Sequence, residues 1–176
     1  IIVGFSGGVD STLVLTATNQ FLDAHNKKNC LTALHVNHQT QSDSSSWQKH
    51  CEKFCKEHNI NFSCKSVEIK ESGQGYEAAA RSARLDIFNA FDKSTAIILG
   101  HHLDDQVETV FFRVLRGTGL KGLTGMQRHV KIKDKDFIRP LLHLTKEEIF
   151  KQTKEYKLSF IEDQSNTDNA YSRNFL

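Results

Sequence analysis

At 176 residues, the chain is long enough to form one domain with a full hydrophobic core. Hydrophobic residues make up 38% of the sequence and charged residues 25%, which is ordinary for a globular protein. The formal net charge of +2 is too small to indicate nucleic-acid binding by charge alone. No apolar run approaches the ~20 residues of a membrane helix and no signal peptide is evident, so we expect a cytoplasmic protein without a membrane partner.

Both ends of the chain interrupt predicted elements. The sequence opens inside an apolar strand over residues 1–5 and stops inside a starting helix at residues 174–176. We therefore expect a fragment of a longer protein.

Hydrophobic periodicity alternates between strands and helices up to residue 116. In chain order, the pattern predicts a strand over 1–5, a helix from Val9, a strand over 31–36, a helix over 47–58, an extended stretch over 62–69, a helix over 76–91, a strand over 95–99 and a helix through Val114. Such alternation with wholly apolar strands predicts an α/β fold, a Rossmann-like parallel sheet with helices on both faces.

The character of the sequence changes after residue 116. Glycines mark a flexible connection, and apolar residues flanking Lys133 and Asp134 predict a hairpin over 130–139. Thr145 and Glu148 have capping-box spacing and open a last amphipathic helix, which an acidic loop over 161–168 follows. We treat residues 1–116 as the core of one domain and 117–176 as an extension that completes its site.

Four cysteines are present: Cys30, Cys51, Cys55 and Cys64. Without a secretory context, reduced thiols are favoured over disulfides. Cys51 and Cys55 are one turn apart on a predicted helix, and no further ligands at suitable spacing indicate a metal site. We expect both to pack in the core.

Polar clusters follow three of the predicted strands. They lie at residues 6–8, 37–38 and 100–105. In parallel sheets, ligands bind beyond the carboxyl ends of the strands, where strand order reverses. The three clusters therefore predict a ligand site at one edge of the sheet.

The first cluster has the features of a phosphate-binding loop, and its residues are Ser6, Gly7, Gly8, Val9, Asp10 and Ser11. Two glycines let the backbone turn sharply, and the following helix start offers free N–H groups to an anion. Asp10 would repel phosphates unless a cation such as Mg²⁺ bridged them. The alternative is a glycine turn capped by Ser6. The complete hexapeptide between strand and helix favours phosphate binding, although no Walker lysine follows.

Asp104, Asp105 and Glu108 share one face of a predicted helix beside His101 and His102. Acidic side chains at a helix start can simply be stabilised by the helix dipole, and the histidines can be ordinary loop residues. Their position at the ligand edge instead favours a pocket for a cation, either a metal ion or a substrate ammonium.

The helix over 76–91 carries Glu77, Arg81 and Arg84 on one side. An exposed ion pair is one interpretation. The other is that an arginine neutralises charge that develops during phosphoryl or nucleotidyl transfer. The sequence leaves both open.

The hexapeptide 6–11 resembles the PP-loop of ATP pyrophosphatases. With it, the segments 35–38, 77–84, 100–109, 139–142 and 162–174 resemble, in the same order, the tRNA(Ile)-lysidine synthetase family across nearly the whole chain. The first motif is shared by several kinds of enzyme, whereas the histidine–acid and terminal motifs are much more specific.

The resemblance implies an adenine nucleotide alpha hydrolase type of fold and an ATP-dependent ligase. Members of the family adenylate C2 of the wobble cytidine, position 34, in tRNA(Ile) with a CAU anticodon. Diphosphate leaves, and the ε-amine of L-lysine then displaces AMP to give lysidine. ATP and Mg²⁺ are the implied cofactors, and further C-terminal domains, which this chain lacks, bind the tRNA.

The resemblance also assigns roles to individual residues. ATP and diphosphate binding falls to Ser6, Gly7, Gly8, Val9, Asp10, Ser11, His35, Asn37, Gly100 and His101. The lysine and tRNA residues are Asp104, Asp105, Glu108, Arg84, Arg173 and Asn174. Asp10 holds Mg²⁺ and Arg81 faces the α-phosphate, so the implied catalytic set is Asp10, Arg81, Asp104, Asp105 and Glu108. One departure is the loop after His38, where the family usually has a glycine and a basic residue and this chain has Gln39 and Thr40.

Two alternatives stay open on the sequence. One is another PP-loop enzyme, such as a tRNA cytidine thiolase, although Cys51 and Cys55 lack the Cys-x-x-Cys spacing that such an enzyme would use. The other is a nucleotide-binding module without turnover, which would not need Arg81 or the acidic cluster. The sequence also leaves open which carboxylate binds lysine, which base deprotonates its amine and whether the chain forms a homodimer.

Overall fold

The computed structural model describes residues 1–37, 44–67 and 76–162. Six strands and six helices occur in the described part: β1 (Ile2–Gly4), α1 (Val9–Ala24), β2 (Thr32–Asn37), α2 (Ser44–Glu57), β3 (Asn61–Ser66), α3 (Tyr76–Asn89), β4 (Ile97–Ile98), α4 (Leu103–Leu115), α5 (Leu120–Leu123), β5 (His129–Ile132), β6 (Lys135–Ile138) and α6 (Lys146–Glu155). A short 3₁₀ turn, Lys28–Cys30, precedes β2. None of the described helices is long and apolar enough to cross a membrane.

The strands form one sheet in the order β3-β2-β1-β4-β6-β5. β1 pairs in parallel with β2 on one side and with β4 on the other. The first strands are added to the sheet on one side of β1 and the later strands on the other, so strand order reverses between β1 and β4. Such a reversal leaves a crevice beyond the carboxyl ends of these two strands. This is the edge where the sequence predicted the ligand site.

Helices cover both faces of the sheet, because successive strand residues point to opposite sides. Val3 and Phe5 pack into one core with Phe54 and Ile149, whereas Ile2 packs into a second core with Phe88. The predicted α/β architecture is confirmed.

The buried thiols lie in the first of these two cores. Cys51 and Cys55 are fully buried there, as expected. Burial raises the pKa of each thiol to about 12.

The hairpin of the extension is part of the same sheet. β6 pairs in parallel with β4 through Ile97–Phe137 and Ile98–Ile138, and β5 closes the edge antiparallel to β6. Lys133 and Asp134 both adopt positive φ angles, as a two-residue hairpin turn requires. The sequence pattern predicted the hairpin but not its place beside β4.

Helix α6 begins as the sequence predicted. Thr145 Oγ1 accepts a hydrogen bond from the Glu148 amide, and the Glu148 carboxylate accepts one from the Thr145 amide. This reciprocal capping box fixes the start of α6, which packs against α1.

Candidate active site

The loop between β1 and α1 is a tight turn. It leaves the N-terminus of α1 accessible to a ligand. Gly7 has a φ of +88°, which a glycine adopts without strain. The Ser11 hydroxyl donates to the Gly8 carbonyl and accepts from the Ser6 amide. Gly8 occupies the N-cap position and has no side chain to cap the helix. The first N–H groups of α1 therefore remain available for an anion.

Gly7 also has no room for a side chain. A Cβ there would lie 2.9 Å from Ile161 Cδ1 and 3.0 Å from Cys51 Sγ. The Ile161 amide donates to the Gly7 carbonyl at 2.8 Å. The segment that follows α6 is thus attached directly to the phosphate-binding loop.

The loop after β4 approaches the start of α1 backbone to backbone. A Cβ on Gly100 would lie 3.1 Å from the Asp10 carbonyl carbon and 3.2 Å from the Ser11 amide nitrogen. Only glycine fits at such a distance without displacement. This approach brings the histidine–acid motif next to the phosphate-binding loop.

His102 lies between the carboxylates of the two loops. Its Nε2 is 3.8 Å from Asp10 Oδ1 and 3.6 Å from Asp105 Oδ2, and its Nδ1 is 3.3 Å from Asp104 Oδ2. The His102 amide donates to Asp105 Oδ2 at 2.9 Å. The sequence placed His102 beside the acidic cluster but assigned it no role of its own.

The surroundings of Asp10 shift the pKa of its carboxyl group. Burial raises its pKa, and the negative charge of Asp105 raises it further, while His102 and Lys146 lower it. Its Oδ1 is buried and accepts no hydrogen bond from a described residue. An oxygen of this kind is suited to a cation ligand.

Asp104 has a structural partner that its neighbours do not share. Its Oδ2 accepts a hydrogen bond of 2.7 Å from the Lys146 amide at the start of α6. The Leu103 amide donates to the Leu144 carbonyl at 2.8 Å. Asp104 therefore joins the N-termini of α4 and α6. Glu108 lies one turn further along α4 and is partly buried.

His101 and Arg139 form a second polar pair at this edge. Arg139 follows β6 and is 7% exposed, and its Nε donates to His101 Nδ1 at 3.1 Å. Burial lowers the pKa of His101 to about 4, with contributions from Arg139, Arg84 and Arg81, against the opposing effect of Asp105. His101 is therefore neutral at physiological pH.

The two arginines of α3 face this cluster. The positive charge of Arg81 lowers the pKa values of Arg84, His101 and Arg139, so its guanidinium lies near all three. Arg84 is exposed as a whole residue, yet desolvation of its charged end is the main reason that its pKa is lowered. Guanidinium groups gathered in this way attract an anion.

The predicted site residues at the end of β2 are placed mainly inside the protein. His35 is buried, and its Nδ1 donates to the Phe5 carbonyl at 2.9 Å, under the phosphate-binding loop. Burial lowers the pKa of His35. Asn37 is also buried and donates to Gln48 Oε1. Their expected place beside the adenosine stays a prediction, as does the rest of the site assignment.

Two predicted site residues, Arg173 and Asn174, lie outside the described residues. Arg139 was noted in the sequence only as part of a motif, without a role. Its signal was the chain's single proline, Pro140, directly after it. A charged residue before the one proline in an otherwise apolar segment is unusual enough to be noticed.

The fold and the site together define the class. An uncapped helix start at the strand-order reversal faces carboxylates and arginines, as a nucleotide-using α/β domain requires. A family model described as a PP-loop domain matches residues 1–176, and the chain belongs to that family.

Curated relatives extend this finding. The chain is 40% identical over 177 residues to a tRNA(Ile)-lysidine synthase of Legionella pneumophila (strain Lens) and 37% identical over 177 residues to one of Photorhabdus laumondii. Each match covers 100% of this chain and 40% of the relative. The chain thus spans about 40% of the length of these relatives.

A solved structure supports the fold. The U34-tRNA thiolase NcsA from Methanococcus maripaludis, determined with its [4Fe-4S] cluster, superposes with a TM-score of 0.71. The match covers 99% of this chain and 67% of that chain, at 18% sequence identity. At this identity, the likeness concerns the fold alone.

Proposed function

We propose that the protein is an ATP-dependent tRNA(Ile)-lysidine synthase of the cytoplasm. It adenylates C2 of cytidine 34 in tRNA(Ile) with a CAU anticodon and joins that carbon to L-lysine, releasing diphosphate and AMP. The observation that carries the proposal is the meeting of two loops at His102, whose Nε2 is within 3.8 Å of both Asp10 and Asp105. ATP phosphates bound at the loop of Asp10 would then lie next to a lysine ammonium bound at the loop of Asp105.

ATP binds through the loop at residues 6–11. The free N–H groups of α1 and the hydroxyls of Ser6 and Ser11 hold the phosphate oxygens that become diphosphate. Gly100 keeps the facing loop close to this helix start. Adenosine lies along the end of β2, beside the backbone of residues 35–37.

Asp10 is the ligand for Mg²⁺ in this proposal. The donor set fits the ion, because Asp10 Oδ1 is a buried carboxylate oxygen that no described residue hydrogen-bonds, and Mg²⁺ commonly uses only one or two carboxylates beside phosphates and water. When bound, the ion neutralises charge on the diphosphate.

Arg81 faces the α-phosphate, and Arg84 lies beside it for the tRNA substrate. Attack by the cytidine O2 on the α-phosphorus forms an O–P bond and breaks the bond to the diphosphate, so negative charge spreads over the phosphoryl oxygens. The two guanidiniums are close enough to each other for one to lower the pKa of the other. A phosphate between them would relieve that repulsion.

Lysine binds through Asp105 and Glu108. Asp104 accepts the backbone amide of Lys146, and Asp105 accepts that of His102. Asp105 is also close enough to Asp10 to raise the pKa of that carboxyl. The neutral ε-amine attacks C2 of the adenylated cytidine, a C–N bond forms, and the C2–O bond breaks with its electron pair leaving on AMP. Carboxylates at the cleft hold the lysine for this attack.

The thiolase alternative receives no support from the buried cysteines. Burial raises the pKa values of Cys51 and Cys55 to about 12, so neither is a thiolate at physiological pH. A binding module without turnover would not need both arginines and carboxylates beside the phosphate-binding loop.

We also propose that the protein forms a homodimer through α4. The outer face of this helix carries an apolar stripe made of Val107, Phe111, Val114 and Leu115, all exposed, with Phe111 at 44% and Val107 at 62%. Arg116, at the C-cap of α4, is exposed near the end of this stripe. An antiparallel pair of α4 helices about a two-fold axis would join the two stripes and cover them.

Asp105→Asn separates the roles of the carboxylates. The amide keeps the shape and an acceptor for the His102 amide but removes the charge, so kcat/KM for lysine should fall about 10- to 150-fold, the cost of a charged hydrogen bond. Asp104→Asn is the matched control, because its oxygen can still accept the Lys146 amide, and it should change kcat/KM by less than about 3-fold. Diphosphate release at varied lysine and saturating tRNA measures both. Equal losses in the two variants would refute the assignment.

A further inference from the structure

His101 is held by an arginine that is itself fixed on two sides. Arg139 Nε donates to His101 Nδ1 at 3.1 Å, Nη1 donates to the Gln127 carbonyl at 2.9 Å, and the Arg139 amide donates to the Arg128 carbonyl at 2.7 Å. The residue is 7% exposed. Since β4 and β6 are parallel neighbours, the residues after the two strands lie side by side. The sheet itself therefore sets this geometry.

The direction of the hydrogen bond determines the tautomer of the ring. A guanidinium has only donors, so Nδ1 of His101 must be the acceptor. A neutral imidazole with an accepting Nδ1 carries its proton on Nε2. Protonating Nδ1 would place two donors against each other and add a positive charge beside Arg139.

Burial and the charges around His101 also oppose protonation of its ring. Arg139, Arg84 and Arg81 all oppose protonation, Asp105 alone favours it, and burial is the largest effect. The result is a pKa of about 4. A ring whose Nδ1 is engaged and whose Nε2 is protonated has no free lone pair.

We propose that Arg139 is a positioning residue that locks His101 as the neutral Nε2–H tautomer, so that the ring is a permanent hydrogen-bond donor to phosphate oxygens and not the base that deprotonates lysine. The proposal rests on the proposed function and deepens it. A donor without charge stabilises bound phosphates over a wide pH range. The base for the lysine ammonium is then a different group.

The tautomer is tested directly by NMR on full-length protein labelled with ¹⁵N-histidine. Long-range ¹H–¹⁵N spectra should show His101 as the Nε2–H form, without titration between about pH 5.5 and about pH 8.5, a window that spans the usual histidine pKa of ~6.5. In Arg139→Gln the pKa of His101 should rise, because a nearby positive charge is lost. Arg128→Gln is the matched control, since the exposed Arg128 side chain is not part of the pair. A wild-type His101 that titrates near ~6.5, or that is the Nδ1–H form, would overturn the proposal.

Substitution of His101 tests the role from the other side of the pair. The side-chain amide of His101→Gln places a donor near the position of Nε2, so this variant should keep kcat within about 10-fold of wild type, while His101→Ala should lose about 100-fold or more. Equal losses in the two variants would indicate acid–base chemistry at His101 and refute the proposal. Failure of the proposed function would look different, because the wild-type enzyme would then incorporate no lysine.

Discussion

Asp10 shows at the level of one residue how the site is prepared for a cation. Its carboxylate is only 30% exposed and lies near a second carboxylate, Asp105. Burial and this neighbouring negative charge both raise the pKa of Asp10. A carboxyl group whose pKa is higher in the folded than in the unfolded state binds protons more tightly when folded. Ionisation of Asp10 therefore costs folding free energy as the pH rises above the ordinary aspartate range, and a bound cation offsets that cost.

Asp10→Asn is expected to stabilise the ligand-free protein while removing its response to Mg²⁺. The gain in melting temperature over wild type should be present at pH 7, where wild-type Asp10 is ionised, and should shrink toward pH 4 as that carboxyl is protonated. Addition of millimolar Mg²⁺ to the ATP-bound protein should raise the melting temperature of wild type further but not that of the variant, since only a folded state that binds the ion is stabilised by it. Thermal unfolding at both pH values checks this. A loss of stability in ligand-free Asp10→Asn at pH 7 would contradict it.

Single residues were predicted unevenly from the sequence. The loop at 6–11 and the acids after β4 were found because residue type and strand–helix context agree at those positions. The separate roles of Asp104 and Asp105 could not be found, because they depend on which helix lies opposite each side chain. The same holds for Arg139, whose partner lies 38 residues away in the chain.

At the level of elements, the site depends on how closely two strand–helix units approach. The turn after β4 lies against the first turn of α1, with Gly100 between them. The predicted strands and helices were correct in type and order, since their periodicities are strong. The place of the hairpin in the sheet was not predictable, because a short polar–apolar alternation does not identify its neighbour.

Gly100→Ala is expected to weaken nucleotide binding more than folding. The added Cβ would lie 3.1 Å from the Asp10 backbone, so the two loops must separate by a few tenths of an ångström, at a cost of about 1–3 kcal/mol in the free energy of unfolding. Gly119→Ala is the control, because a Cβ there meets nothing within 4 Å and its φ of −73° suits alanine. Denaturant unfolding and ATP titration measure both variants. Unchanged ATP affinity in Gly100→Ala would show that this approach is not needed.

For the whole molecule, helix α4 leaves a large apolar surface uncovered in the described part of the chain. None of its residues is buried, although several are large and apolar. Exposed apolar surface of this extent commonly marks an interface. An antiparallel copy of the same helix would cover this stripe.

Phe111→Asp with Val107→Asp should convert a dimer into a monomer, since two charges would enter the centre of the paired stripes. Phe21→Asp is the control, because Phe21 is 63% exposed on α1, outside α4. Sedimentation equilibrium of the full-length protein measures the mass of each. A monomeric wild type, or a dimer that survives both substitutions, would refute pairing through α4.

The most direct test of the whole account is the incorporation of radiolabelled lysine into tRNA by the full-length protein. With ATP, Mg²⁺ and tRNA(Ile) carrying a CAU anticodon, we expect label at cytidine 34, with one AMP and one diphosphate released for each lysine. Omission of lysine should stop steady-state AMP release. Transfer of sulfur to the tRNA in place of lysine, or ATP cleavage that is independent of both substrates, would contradict the account.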